Sequence, residues 1–140
     1  MSNSEDKIYQ LQVGMSASYE QTITDADIKT FAGLSGDNNP VHMSDEFANE
    51  SRFKKRIAHG FISASFFSAI FGTKLPGPGC VYVSQDLKFL RPVYIGDTVH
   101  AKVTIKTINA DKRRVIFDTI CIVRDKKVIV GTAEIFLPDY

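Results

Sequence analysis

The sequence predicts an α+β domain in which a curled antiparallel β-sheet wraps around one long buried helix. Two observations carry this expectation. Residues 57–75 hold no charge between His59 and Lys74 and are long enough for a helix of about four turns. Their faces are apolar or small on every side, the pattern of a helix buried all round. After Gly79 the texture changes to segments rich in Val, Ile, Tyr and Phe, punctuated by turn residues, which reads as a meander of strands. At 140 residues the chain suffices for one well-packed domain and is too short for two comfortable ones. The domain is therefore placed at residues 11–140, after a flexible N-terminus at residues 1–10 whose first eight residues are mostly polar.

The elements follow in order. A short strand is expected at residues 16–23. Thr24 then stands as an N-cap, with Asp25 and Asp27 at the favourable end of a helix. Ile28, Phe31 and Ala32 recur behind it at helical spacing, predicting a short amphipathic helix over residues 25–34. Gly33 and Gly36 flank its end. Ser44 can cap a second short helix at residues 45–49. The long helix is stopped by Pro76-Gly77-Pro78-Gly79. Residues 80–93 form the next β segment, ended by Pro92 and the Gly96-Asp97 turn. Val99, Ala101, Val103 and Ile105 alternate with His100, Lys102, Thr104 and Lys106, a half-buried strand. A turn at residues 109–112 leads to strands at 114–124 and 128–137, joined across Asp125-Lys126. A helix buried all round needs a second layer, and an identical subunit would supply it while covering a sheet edge. A homodimer is expected.

Composition narrows the function classes. A net charge of +1 argues against a nucleic-acid binder, which would carry a basic stripe. The basic clusters at residues 54–56, 112–114 and 126–127 read as solvated turn charges, with a phosphate-bearing ligand an option at the first. No apolar run is long enough to span a membrane, and the first fifteen residues lack the apolar core of a secretory signal. Cys80 and Cys121 sit in strand-like segments without metal-ligand spacing, as free thiols of a reducing cytoplasm do.

The stretch Gly36-Asp37-Asn38-Asn39-Pro40-Val41-His42 gathers an acid, two amides, a rigid turn and one of the three histidines. Pro40 fixes its own φ and restricts Asn39 to extended conformations, so Asp37 and His42 are expected on a stiff, non-helical loop. A carboxylate and an imidazole held this way can grip one water, take a proton and return one. Taken singly, Asp37 also reads as a turn residue bonding its own backbone, and His42 as a satisfied loop imidazole. A cation held by Asp37, His42 and Asp45 would be too sparsely ligated for a zinc site, and no metal or other cofactor is expected. Gly60 opens the long helix, where unpaired N–H groups and the positive dipole end point outward. Its missing side chain allows either close substrate approach or tight packing. His59 reads as a packing or capping residue. Asn39 can fix the loop through its side chain or contact substrate. Ser68, in mid-helix, can bond a backbone carbonyl.

Asp37-Asn38-Asn39-Pro40-Val41-His42 fits the D-x-N-P-x-H motif and resembles the MaoC-like hydratases, the (R)-specific enoyl-CoA hydratases. The resemblance continues through Ile57-Ala58-His59-Gly60, Pro76 to Gly79, Gln85 to Phe89, Pro92-Val93 and Gly96-Asp97, and covers residues 12–137. It implies a hotdog fold, a dimer and a coenzyme A thioester substrate. It also implies that Asp37 and His42 are catalytic, that the Gly60 N–H is the oxyanion donor, and that Ser68 supports the acid–base pair. The expected reaction is reversible (R)-specific hydration of trans-2-enoyl-CoA to (R)-3-hydroxyacyl-CoA. A 3-hydroxyacyl-acyl-carrier-protein dehydratase using the same site is an alternative, and a non-catalytic acyl-CoA-binding module is another. The long helix has no acid between Ala58 and Gly72, against the hotdog thioesterases and usual carrier-protein dehydratases, which rely on one there.

Overall fold

The computed structural model describes residues 5–139. The chain runs β1 (Ser16–Thr22), α1 (Asp25–Ser35), α2 (Pro40–Met43), α3 (Asp45–Glu50), α4 (Gly60–Thr73), β2 (Val81–Gln85), β3 (Lys88–Phe89), β4 (Thr98–Asn109), β5 (Arg114–Val123) and β6 (Lys126–Phe136). The strands form one antiparallel sheet in the order β1-β4-β5-β6-β2, with β3 pairing β6. The helix α4 packs into its concave face, the hotdog arrangement.

The local chemistry of these elements is the expected one. Thr24 and Asp27 close a capping box on α1: the Asp27 N–H donates to Thr24 Oγ1, and the Thr24 N–H donates to the Asp27 carboxylate. Val99, Ala101, Val103 and Ile105 of β4 all face the core while His100, Lys102 and Lys106 face water. From α4, Phe67 and Phe71 are fully buried, and Phe71 meets Phe117 of β5 edge-on with ring centroids 4.8 Å apart. Each such ring contributes about 2–3 kcal/mol by leaving water. Cys80 and Cys121 are free, and burial pushes the Cys121 thiol up to about 12. Among the described residues no helix is long and apolar enough to cross a membrane.

Four features differ from the expectation. His42 lies on the one-turn helix α2 rather than on a non-helical loop. Pro40 takes the first helical position, where its missing N–H leaves nothing unsatisfied, and Asn39 caps the turn through the Val41 N–H. Of the flexible N-terminus expected at residues 1–10, residues 1–4 lie outside the described residues. Lys7–Gln10 form a short 3-10 helix that buries Ile8, and Asp6 receives two hydrogen bonds of 2.8 Å from the Arg113 guanidinium. The strand expected across residues 80–93 breaks at Asp86-Leu87, because Asp86 turns its carbonyl onto Gly131 of β6 and accepts the Thr132 N–H on its carboxylate. Lastly, α4 is not covered all round within one chain. Phe61, Ser65, Ser68 and Gly72, at helical spacing, remain exposed, because the sheet reaches only the opposite side.

Candidate active site

The loop between α1 and α2 is built to hold Asp37 still. Gly36 ends α1 in the left-handed region (φ 81°), with its N–H donating to Ala32. This is a conformation that a side chain would strain. Ser35 Oγ accepts the Asp37 N–H at 3.1 Å, and Asp37 Oδ1 accepts the Asn39 N–H at 3.1 Å. The turn reading of Asp37 is thus present, and it leaves the other carboxylate oxygen unengaged by this turn. Asn39 does cap α2, as above, and its side chain stays at the surface.

His42 is nine-tenths buried. Its Nδ1 lies 2.7 Å from the Ile57 carbonyl oxygen. A carbonyl can only accept, so Nδ1 carries the proton and Nε2 presents a lone pair. Burial, and then the neighbouring His59, hold the His42 pKa below the ordinary histidine value, although the Ile57 carbonyl and Asp37 pull it upward. A lowered pKa favours the neutral ring, the state a base requires.

His59 is the residue that sequence reasoning undervalued. It makes no capping bond to α4. Instead its Nε2–H donates to the Asp37 backbone carbonyl at 2.9 Å, and its ring stacks on His42 with centroids 4.0 Å apart. A carboxylate oxygen of Asp37 and one ring nitrogen from each histidine lie within 4.8 Å of one another, a spacing that one water molecule can bridge. Asp45, the third group considered with Asp37 and His42, points elsewhere, toward Arg56 at 3.8 Å. Arg56 is itself paired with Asp25. The option of a phosphate at residues 54–56 therefore loses its arginine to Asp25, while Lys55 lies over the Tyr94 ring.

A cavity of about 320 Å³ opens beside this cluster. His42, Gly60 and Ser63 line it, Ile57, Phe89 and Val93 supply apolar wall, and Arg52 and Arg91 lie in the same lining. Asp37 and Ser68 are not among its lining residues. Ser68 faces a wider groove of about 620 Å³ between α4 and β2, with Phe61, Tyr82 and Gln85. Gly60 serves packing: a side chain there would fall 2.4 Å from the Phe89 ring. Its N–H, on the first residue of α4, has no intrahelical acceptor. The arrangement sets the His42 imidazole and a free backbone donor on one largely apolar cavity, with the Asp37 carboxylate beside the imidazole just outside the lining. That combination can move a proton to and from a bound molecule while stabilising negative charge on its oxygen.

Comparison with known proteins identifies the family. The sequence profile described as MaoC like domain matches residues 10–131. An (R)-specific enoyl-CoA hydratase of Rhodospirillum rubrum is 51% identical over 128 residues, covering 91% of this chain and 89% of that protein. A 3-hydroxybutyryl-CoA dehydratase of Methylorubrum extorquens is 42% identical, covering 91% of this chain and 82% of that protein. Among solved structures, the (R)-hydratase from A. caviae involved in PHA biosynthesis superposes with a TM-score of 0.89 at 36% identity. That match covers 91% of this chain and 98% of the other.

Proposed function

The chain belongs to the MaoC-like domain family, and from that premise we propose that it catalyses reversible (R)-specific hydration of trans-2-enoyl-CoA to (R)-3-hydroxyacyl-CoA. The reading rests on the convergence of the Asp37 carboxylate and the neutral His42 ring within reach of one water. The water oxygen bonds C3 while one of its protons passes to the pair. The pair returns a proton to C2, so that H and OH add across the double bond and both residues end as they began. Negative charge gathers on the thioester oxygen in between, where the Gly60 N–H donates to it. Arg52 and Arg91 suit a phosphate-bearing carrier. The (R) product is inferred from the relatives. The Asn39 cap fixes the loop, whereas Ser68 faces the separate groove between α4 and β2. Two free thiols suit a reducing cytoplasm.

The test is loss of the enoyl thioester absorbance with crotonyl-CoA, with and without a chelator. Turnover unaffected by the chelator is the expected result. Activity on carrier-protein thioesters alone would shift the assignment to the dehydratase alternative, and silence on both would leave a binding module.

The depressed pKa of His42 has a pH consequence. The base must be unprotonated, so kcat/KM for crotonyl-CoA falls on the acid side with a midpoint below 6.5, the ordinary histidine value. The folded state also resists protonating this ring. Its contribution to stability is therefore complete above about 6.5 and is lost as pH drops from there through the lower folded-state value. A kinetic midpoint at or above 6.5 would contradict the burial of the base.

We further propose that the protein is a homodimer joined through β2 and α4. β2 ends the sheet order, and Val81, Val83, Phe89, Leu90 and Phe61 are between 43% and 61% exposed there, a patch unusual for a free surface. Val83→Lys is expected to give monomers in sedimentation equilibrium where the wild type gives dimers. A wild type that sediments as a monomer at micromolar concentration would end this reading.

A further inference from the structure

Ser63 lies on α4 three residues after Gly60, with none of its surface exposed and no hydrogen-bond partner for its Oγ. Two other hydroxyls on this helix take the local option. Ser65 Oγ donates to the Ile62 carbonyl at 2.6 Å, and Thr73 Oγ1 donates to the Ala69 carbonyl at 2.6 Å. Ser63 does not back-bond in this way, and it lines the cavity shared by His42 and Gly60. Helical side chains lean toward the helix N-terminus, so the hydroxyl is directed back toward the turn that presents the free Gly60 N–H. A buried unpaired hydroxyl is destabilising, and native proteins keep few of them without a use.

We propose that Ser63 is a second donor of the oxyanion site: its Oγ–H and the Gly60 N–H donate together to the thioester oxygen of the substrate. The assignment rests on the hydratase reading above. It adds no covalent step. As water's oxygen bonds C3, charge moves onto the thioester oxygen, and a donor already in place interacts more strongly with that oxygen than with the neutral thioester. The other unpaired atom of this turn, His59 Nδ1, carries only a lone pair because Nε2 holds the proton. It cannot stabilise an oxyanion. It could, however, share a bridging water with Ser63, and that is the competing role for the hydroxyl.

The test compares wild type, Ser63→Ala and Ser63→Thr. With crotonyl-CoA, Ser63→Ala is expected to lose about 100-fold in kcat, the usual effect of removing one such donor, with KM little changed. Its melting temperature stays level or rises, since an unpaired hydroxyl has been removed. Ser63→Thr, which keeps the hydroxyl, recovers most of the rate. A readout independent of turnover is the infrared carbonyl band of crotonyl-CoA bound to Asp37→Asn. Adding Ser63→Ala moves that band to higher wavenumber if the hydroxyl donates to the carbonyl. An unmoved band, or an unimpaired Ser63→Ala enzyme, overturns the assignment while leaving an active wild type a hydratase. A lowered melting temperature with an unmoved band identifies the bridging-water role instead. A wild type inactive on all enoyl thioesters removes the parent reading and this assignment with it.

Discussion

Replacing His42 by Ala, or Asp37 by Asn, is expected to lower kcat for crotonyl-CoA by about 10²–10⁴-fold, the usual contribution of a positioned acid or base. The two variants fail for different reasons. Asparagine keeps an oxygen for the Asn39 N–H, so the loop bond now at 3.1 Å survives. What is lost is the negative charge and the ability to exchange a proton. Melting of Asp37→Asn should therefore match the wild type. His42→Ala removes the lone pair that takes the proton and also the Nδ1–H that satisfies the Ile57 carbonyl. A loss of about 1 kcal/mol in stability is expected from that unpaired carbonyl, too little to unfold the domain. Both variants should still bind crotonyl-CoA, measured by calorimetry. Full activity in either would show that the pair is not the acid–base machinery.

Gly131→Ala should have the largest effect on stability. A side chain at this position in β6 would lie 2.0 Å from the Asp86 carbonyl oxygen. The obstacle is backbone, held in turn by the Asp86 N–H to Thr132 O bond of 3.0 Å and the Thr132 N–H to Asp86 Oδ1 bond of 3.1 Å. Relief requires moving β2 or β3 off β6, and strain of this kind costs about 2–3 kcal/mol. For a domain of this size that is on the order of 10 °C in Tm. Gly60→Ala makes an instructive contrast, because its obstacle is the half-exposed Phe89 ring, which can swing outward. An unchanged melting temperature for Gly131→Ala would show that the Asp86 approach is not tight.

How much could be read before the structure depended on how local the cause was. The capping of α1, the alternation along β4 and the stop after α4 depend on neighbours in sequence, and each stands where it was expected. The placement of His42 on a helical turn was missed although its cause is local. Pro40 restrains Asn39 and also starts a helix well, and only the Asn39 cap decides between the two. His59 and Ser63 were beyond reach for another reason. Nothing near His59 in the chain indicates that its ring stacks on His42 or that its proton goes to the Asp37 carbonyl. Nothing beside Ser63 indicates that its hydroxyl is left unpaired.

By itself, then, the sequence determined most of the elements, the apolar helix around which they gather, and the motifs carrying the acid, the imidazole and the glycine. Those depend on periodicity, capping and turn chemistry, all written within a few residues. The tertiary structure alone decided which nitrogen of each histidine is free, which serine enters the cavity, which face of α4 stays bare, and why Gly131 cannot carry a side chain. Each of these is set by groups distant in the chain: the Ile57 carbonyl opposite His42, the Asp37 carbonyl opposite His59, the reach of the sheet, and the Asp86 carbonyl above β6. Proton position and close packing are properties of contacts, and these contacts exist only once the sheet has closed around the helix.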